Sequence, residues 1–194
     1  MIRVSVDRHS LRQVQKRLGK MEKKAPAVIS AALNDTARTG RVMLTNEART
    51  RYVVKSGASK KNMTIKRATY SSLQAIITAQ GKTIGLSKFK ATAPYSGAKG
   101  QVLKSSGLKA LVNSQGNKAF AAGVTTGHPG RVHSGIFQRK GKNRYPIKEL
   151  QGPSSAKMIE VVYEGKRNVR KVVKPEIEKT LKKNIDRQIR RWVK

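Results

Sequence analysis

An α+β fold is predicted, with a long N-terminal helix and a C-terminal helix packed on an antiparallel β-sheet that carries long basic loops. Two stretches, Pro26 to Val53 and Pro175 to Val193, each repeat apolar residues at steps of three and four. Between about 63 and 150, short Val/Ile/Thr-containing runs alternate with Gly/Ser/Lys-rich pieces, the pattern of strands and loops. The reading is one domain over 1–194. It comprises a strand and helical arm at 1–53, a sheet at 63–150 with a loop insertion at about 88–118, and helices at 154–194.

Taken in order, Ile2, Val4 and Val6 alternate with polar residues as a short strand does. Asp7 then caps a helix over about Arg8 to Lys23, whose face is Leu11, Val14, Leu18 and Met21. Lys23 to Pro26 breaks it, because proline disfavours helical geometry in the residue before it. From Pro26, the stripe Ile29, Leu33, Ala37, Gly40, Leu44, Ala48 and Tyr52 runs down a helix roughly 40 Å long, at about 1.5 Å per residue. Val28, Ala32 and Met43 lie at its margin, while Arg38, Arg41, Arg49 and Arg51 fall mainly off it. Gly40 costs about 1 kcal/mol against alanine in a helix interior, so its place in the stripe predicts either that another backbone passes close or that it is a tolerated surface glycine.

Met63–Tyr70 and Leu73–Ala79 read as paired strands, with Gly81 turning into a third over Lys82–Phe89. Further strands around Gln101–Lys104, Lys118–Val124 and Ser134–Arg139 would extend the same sheet. The pieces APYSGAKG, NSQGNK, TTGHPGRVHSG and RKGKNR are too polar to bury, and the 88–118 insertion is expected to order only with a partner. Pro153 can open a helix over Ser154–Glu164, with Met158, Ile159 and Val162 inward, although the Val161–Val162 pair leaves a strand open. The last helix has the stripe Ile177, Leu181, Ile185, Ile189 and Trp192. Glu176 and Glu178 start it and Arg190, Arg191 and Lys194 end it, as the helix dipole favours.

Charge says most about function. The net charge is +33, from 43 Lys and Arg against 10 Asp and Glu, and no acid occurs between Glu47 and Glu149. That span carries Lys60, Lys61, Lys88, Lys90, Lys99, Lys104, Arg139, Lys140, Lys142 and Arg144 among its cations. Such a stretch cannot neutralise itself by internal ion pairs, so phosphates or acidic proteins must do so. Those ten residues are the candidate contacts.

Catalysis finds little to work with. His9, His128 and His133 are not spaced as a helical metal pair, and no carboxylate stands near the last two in sequence. Cysteine is absent, which removes disulfides and thiolate metal sites. No phosphate-loop or nucleophile-elbow motif occurs, so no enzyme activity and no cofactor is expected. No apolar run approaches the ~18 residues of a membrane span, and the N-terminus lacks a hydrophobic signal region.

Three blocks, LNDTARTGRVMLTNEARTRY, TIKRAT and FAAGVTTGHPGRVHSGIFQRKGKNRYPIKELQGPS, resemble the minor tail protein Z family of tailed bacteriophages and prophages. In order and spacing they cover most of the chain. The most specific is Pro146, Ile147, Lys148, Glu149, Leu150, Gln151, Gly152, Pro153 and Ser154, preceded by Phe137–Gly141. The resemblance implies a tail-completion protein without catalytic residues, which caps the head-proximal end of a long tail and joins it to the capsid.

Proteins at that junction form rings, usually sixfold, around the channel for the genome. A homo-hexamer of this chain would carry about +198 and could not hold together alone. Either double-stranded DNA threads it, or acidic neighbours embrace it. The expected neighbours are tail terminator or tail tube proteins and head–tail adaptor or connector proteins. The expected location is the virion neck, reached from the host cytoplasm, with no membrane contact. A sequence-independent nucleic-acid-binding protein of ribosomal or nucleoid type explains charge and composition equally well.

Overall fold

The computed structural model describes residues 1–54, 62–125, 132–165 and 172–193. The chain divides into two compact units. Unit 1 comprises Met1–Glu47, Ser59–Gln80 and Ile159–Lys194, and unit 2 comprises Ala48–Ala58 and Gly81–Met158. A long N-terminal helix, a C-terminal helix and several antiparallel sheets make the α+β class plain.

Unit 1 begins with β1 (Ile2–Ser5), whose Ile2 and Val4 are buried. The Asp7 carboxylate accepts from the Ser10 N–H at 2.8 Å and so caps α1 (Arg8–Leu18). That bond holds the carboxyl below the usual aspartate range. The break before the long helix comes earlier than the proline predicts. Gly19 leaves α1 at φ +53, and a 3-10 segment (Gly19–Lys24) with Met21 out of helical geometry leads to α2 (Ala25–Arg51). Pro26 sits in the first turn of α2, where the missing N–H costs nothing.

The predicted stripe of α2 is the spine of the core. Val28, Ile29, Ala32, Leu33, Ala37 and Leu44 are all fully enclosed. A sheet of order β1-β3-β2, antiparallel throughout, is formed with β2 (Met63–Lys66) and β3 (Gln74–Ala79). Gly40 meets side chains, not the expected backbone. A Cβ there would stand 3.1 Å from Ile177 Cδ1 and 3.4 Å from Ile77 Cδ1. The missing methyl lets α4 (Val173–Trp192) and β3 close on one point of α2.

The buried face of α4 is rotated from the one that apolar residues predict. Leu181 and Ile185 lie at its margin, whereas Asn184 and Gln188 are buried beside Ile177 and Ile189. Asn184 Nδ2 donates to Thr36 Oγ1 at 2.9 Å, and Thr36 in turn donates to the Ala32 carbonyl at 2.7 Å. One turn further along, Gln188 Nε2 and Arg187 Nη2 both donate to Asp35 Oδ2, at 3.0 and 2.9 Å. Arg17 pairs with Asp186 at 2.6 Å on the surface.

Unit 2 holds three small antiparallel sheets instead of one extended one: β11-β4, β5-β6-β7 and β10-β9-β8. Their strands are β4 (Ile84–Gly85), β5 (Lys90–Thr92), β6 (Lys99–Gln101), β7 (Lys109–Ala110), β8 (Phe120–Thr125), β9 (Val132–Arg139), β10 (Ile147–Glu149) and β11 (Gln151–Gly152). The 88–118 stretch, expected as a loop insertion, holds β5 to β7 and supplies Phe89 and Ala98 to the core. Tyr52, Leu86, Phe89, Ala98, Ala119, Ile136 and Met158 form that core, the last from α3 (Ser155–Glu164).

The buried polar seam of α4 yields a test. Asn184→Ala leaves the Thr36 oxygen without its donor and should lower stability by about 1–3 kcal/mol in urea unfolding. The double change Thr36→Val with Asn184→Leu removes both polar partners and should cost clearly less than the sum of the single changes.

Candidate interaction surface

The block most specific to the resemblance, Pro146 to Ser154, stitches unit 2 together. Its Tyr145–Pro146 peptide bond is cis. The Pro146 carbonyl accepts from Lys140 N at 3.0 Å, closing the connection between β9 and β10, and Ile147 then pairs with Arg139. Leu150 bridges two sheets, its N–H donating to the Ile136 carbonyl at 2.8 Å and its carbonyl accepting from Leu86 N at 2.9 Å. Gln151 and Gly152 pair with Gly85 and Ile84, and the Thr83 hydroxyl donates to the Gln151 side-chain oxygen. Ser154 Oγ accepts from Lys157 N at 3.2 Å at the start of α3. Pro146, Lys148 and Gln151 are exposed, and the other six are partly buried.

Gly152 explains why this turn tolerates no side chain. A Cβ there would lie 2.5 Å from Phe89 Cε2 and 2.8 Å from its Cζ, against a ring that is 1% exposed.

Glu149 is the sole carboxylate side chain in the sequence of unit 2. Its Oε1 lies 3.0 Å from His133 Nε2, so the sheet supplies in space the carboxylate that the histidine lacks nearby in sequence. Register puts the two on one face. Glu149 opposes Phe137, and His133 lies on the same face of β9 two side-chain positions away. Gly135, between them, leaves the room, since a Cβ there or on Gly85 would come within 2.8 Å of the carboxylate. The hairpin around Lys140–Pro146 was the one sequence signal that could have located this pair. His128 falls outside the described residues.

The candidate cations divide into groups. Arg139, Lys140, Lys142 and Arg144 follow one another through the β9–β10 connection and are all exposed. Arg144 stacks over the ring of Tyr145, 5.7 Å from its centre. Lys90 and Lys99 share one face of the β5-β6 pair, where Lys90 opposes Gln101 and Thr92 opposes Lys99. Lys88 and Lys104 stand on separate 3-10 turns. All eight are exposed, while Lys60 and Lys61 lie outside the described residues. No group of three metal-ligating side chains occurs among the described residues. None of their helices is long and apolar enough to cross a membrane.

What these surfaces have in common is cations and backbone with almost no acid, a surface for contact. A family model for prophage minor tail protein Z (GPZ) matches residues 10–194, nearly the whole chain. The chain belongs to that family. No curated protein and no solved structure matches it. Membership in a phage minor tail protein family gives the chain a structural role in the tail.

In this family member, Gly152→Ala forces a methyl into the Phe89 ring and should cost about 1–3 kcal/mol in urea unfolding. Phe89→Leu in the same chain should recover part of that loss, because the clash is with the ring edge.

Proposed function

We propose that the chain is a tail-completion protein, one subunit of a homo-hexameric ring around the DNA channel at the head-proximal end of a long phage tail. In that position it joins tail terminator or tail tube proteins to head–tail adaptor or connector proteins in the virion neck. The observation that carries the reading is the second unit, with its exposed cations and single carboxylate, in a member of a tail protein family. A surface of that kind gains most where anionic groups are concentrated, as they are beside packaged DNA or on acidic neighbouring rings.

Purified particles should contain a few copies each by mass spectrometry, and a map of the head–tail junction should place them there. The isolated chain should scatter light as a monomer. A salt-resistant hexamer formed without DNA or other proteins would overturn the need for anionic company. Sequence-independent binding to duplex DNA, steeply weakened by salt, in a chain absent from particles would favour the nucleic-acid-binding reading.

A further inference from the structure

Sheets are dangerous at their edges, because an outer strand offers unpaired N–H and C=O groups to any passing chain. Most edges here are blunted in recognisable ways. β1, β2, β5, β7 and β10 carry Arg3, Lys66, Lys90, Lys109 and Lys148, and β4 and β11 are two residues long. β8 has neither protection. It is six residues, Phe-Ala-Ala-Gly-Val-Thr, with no charge and no proline, at the edge of the sheet β10-β9-β8.

The hydrogen bonds show which groups are on offer. Just before β8, Ala119 donates to the Leu111 carbonyl at 2.8 Å and accepts from Ala98 N at 2.7 Å. Antiparallel alternation then sends the N–H and C=O of Phe120, Ala122 and Val124 to β9, and those of Ala121, Gly123 and Thr125 outward. The Ile136 carbonyl, opposite Ala121, accordingly faces away from β8 and takes Leu150 N. Ala121, Gly123 and Thr125 are exposed, and among the described residues no strand but β9 pairs with β8.

Two concavities flank this strand. One of about 640 Å³ lies beside Tyr95, Lys118, Phe120 and Arg139. Another of about 460 Å³ lies over Phe120, Ala122 and Val124, with Arg139, Arg144 and Tyr145 at its rim. The charged side chains lining both are all cationic.

We propose that the outer edge of β8 is a docking site for an extended acidic segment of a partner protein, which adds as a further strand. Its backbone pairs with Ala121, Gly123 and Thr125, and the side chains it places on the face shared by Phe120, Val124 and Arg139 are the carboxylates, which meet Lys118, Arg139 and Arg144. A second copy of this chain is a poor occupant, since it too carries a net charge of +33. Nucleic acid offers phosphates but no peptide groups to continue the ladder. The site follows from unit 2 alone, so it stands or falls independently of where a particle holds the chain.

A fluorescent peptide of alternating Glu and Val, and the same peptide with alternate backbone amides N-methylated, separate pairing from charge. At about 0.15 M salt, where distant surface charges are screened, the full-length chain should bind the first at least about tenfold more tightly. Hydrogen exchange at Ala121, Gly123 and Thr125 should slow with the first peptide only. Ala121→Pro, which removes an outward N–H without touching the β9 ladder, should lose the same preference while its unfolding curve is kept. The proposal is overturned if the two peptides bind equally. It also fails if an oligo-dT of matched charge protects those amides instead, or if the chain alone forms a dimer that Ala121→Pro abolishes. The exchange measurement on the unaltered chain decides the matter even should the variant misfold.

Discussion

Every acidic side chain except Glu149 belongs to unit 1, and the two units consequently solve the problem of their charge in different ways. Unit 1 can pair internally. Asp35 gathers Arg38, Arg187 and Gln188, and Asp186 holds Arg17. These pairs are exposed or half-exposed, so each contributes little by itself. Between α2 and α4, Thr36 and Asn184 are bonded in the buried interior. Unit 2 has a single carboxylate for ion pairing, and most of its described lysines and arginines are exposed while much of its cohesion comes from uncharged groups.

Those uncharged groups are small ones and the backbone. Gly100 lets Leu86 and Leu111 close to within 3.1–3.3 Å of where its Cβ would be, Gly152 receives the Phe89 ring, and Gly135 receives the Glu149 carboxylate. Short strands exchange main-chain bonds between sheets through Leu150 and Ala119. A core of this kind is thin in aromatic area but close in contact, and close contact is where van der Waals attraction accumulates. It also means that Gly152, against the buried Phe89 ring, holds a position where any side chain must displace its neighbour.

The long helices were legible because their signal is long. Seven stripe positions over α2 outweigh any local accident, and six of the seven are buried side chains, with Gly40 as the contact point. The face of α4 was misjudged because apolar periodicity cannot register a buried amide that finds its hydroxyl 148 residues away. Six of the eight strands of unit 2 have only two or three residues, too few alternations to announce a sheet, so one sheet was expected where unit 2 has three. The stretch 88–118 looked like a loop because Lys, Ser and Gly dominate it, yet Phe89 and Ala98 were enough to anchor it. Exposure of the candidate cations was legible from residue type alone. The work of Pro146–Ser154, which ties β9 to β4, required the register to be seen.

Charge segregation also bears on when assembly becomes favourable in the proposed ring. At physiological salt the field of a surface charge decays over about 8 Å, so a solitary copy bears its cations at modest cost. Bringing copies side by side shortens the distances between cationic faces to within that length, and repulsion then grows with every added subunit. An acidic strand laid on β8 changes the balance twice over. It places carboxylates beside Lys118, Arg139 and Arg144, and it satisfies outward peptide groups that water otherwise occupies. The backbone sets where the partner lies, and the charges make its arrival the step that permits neighbours to close. An ordered assembly follows from that coupling without any conformational switch in the subunit.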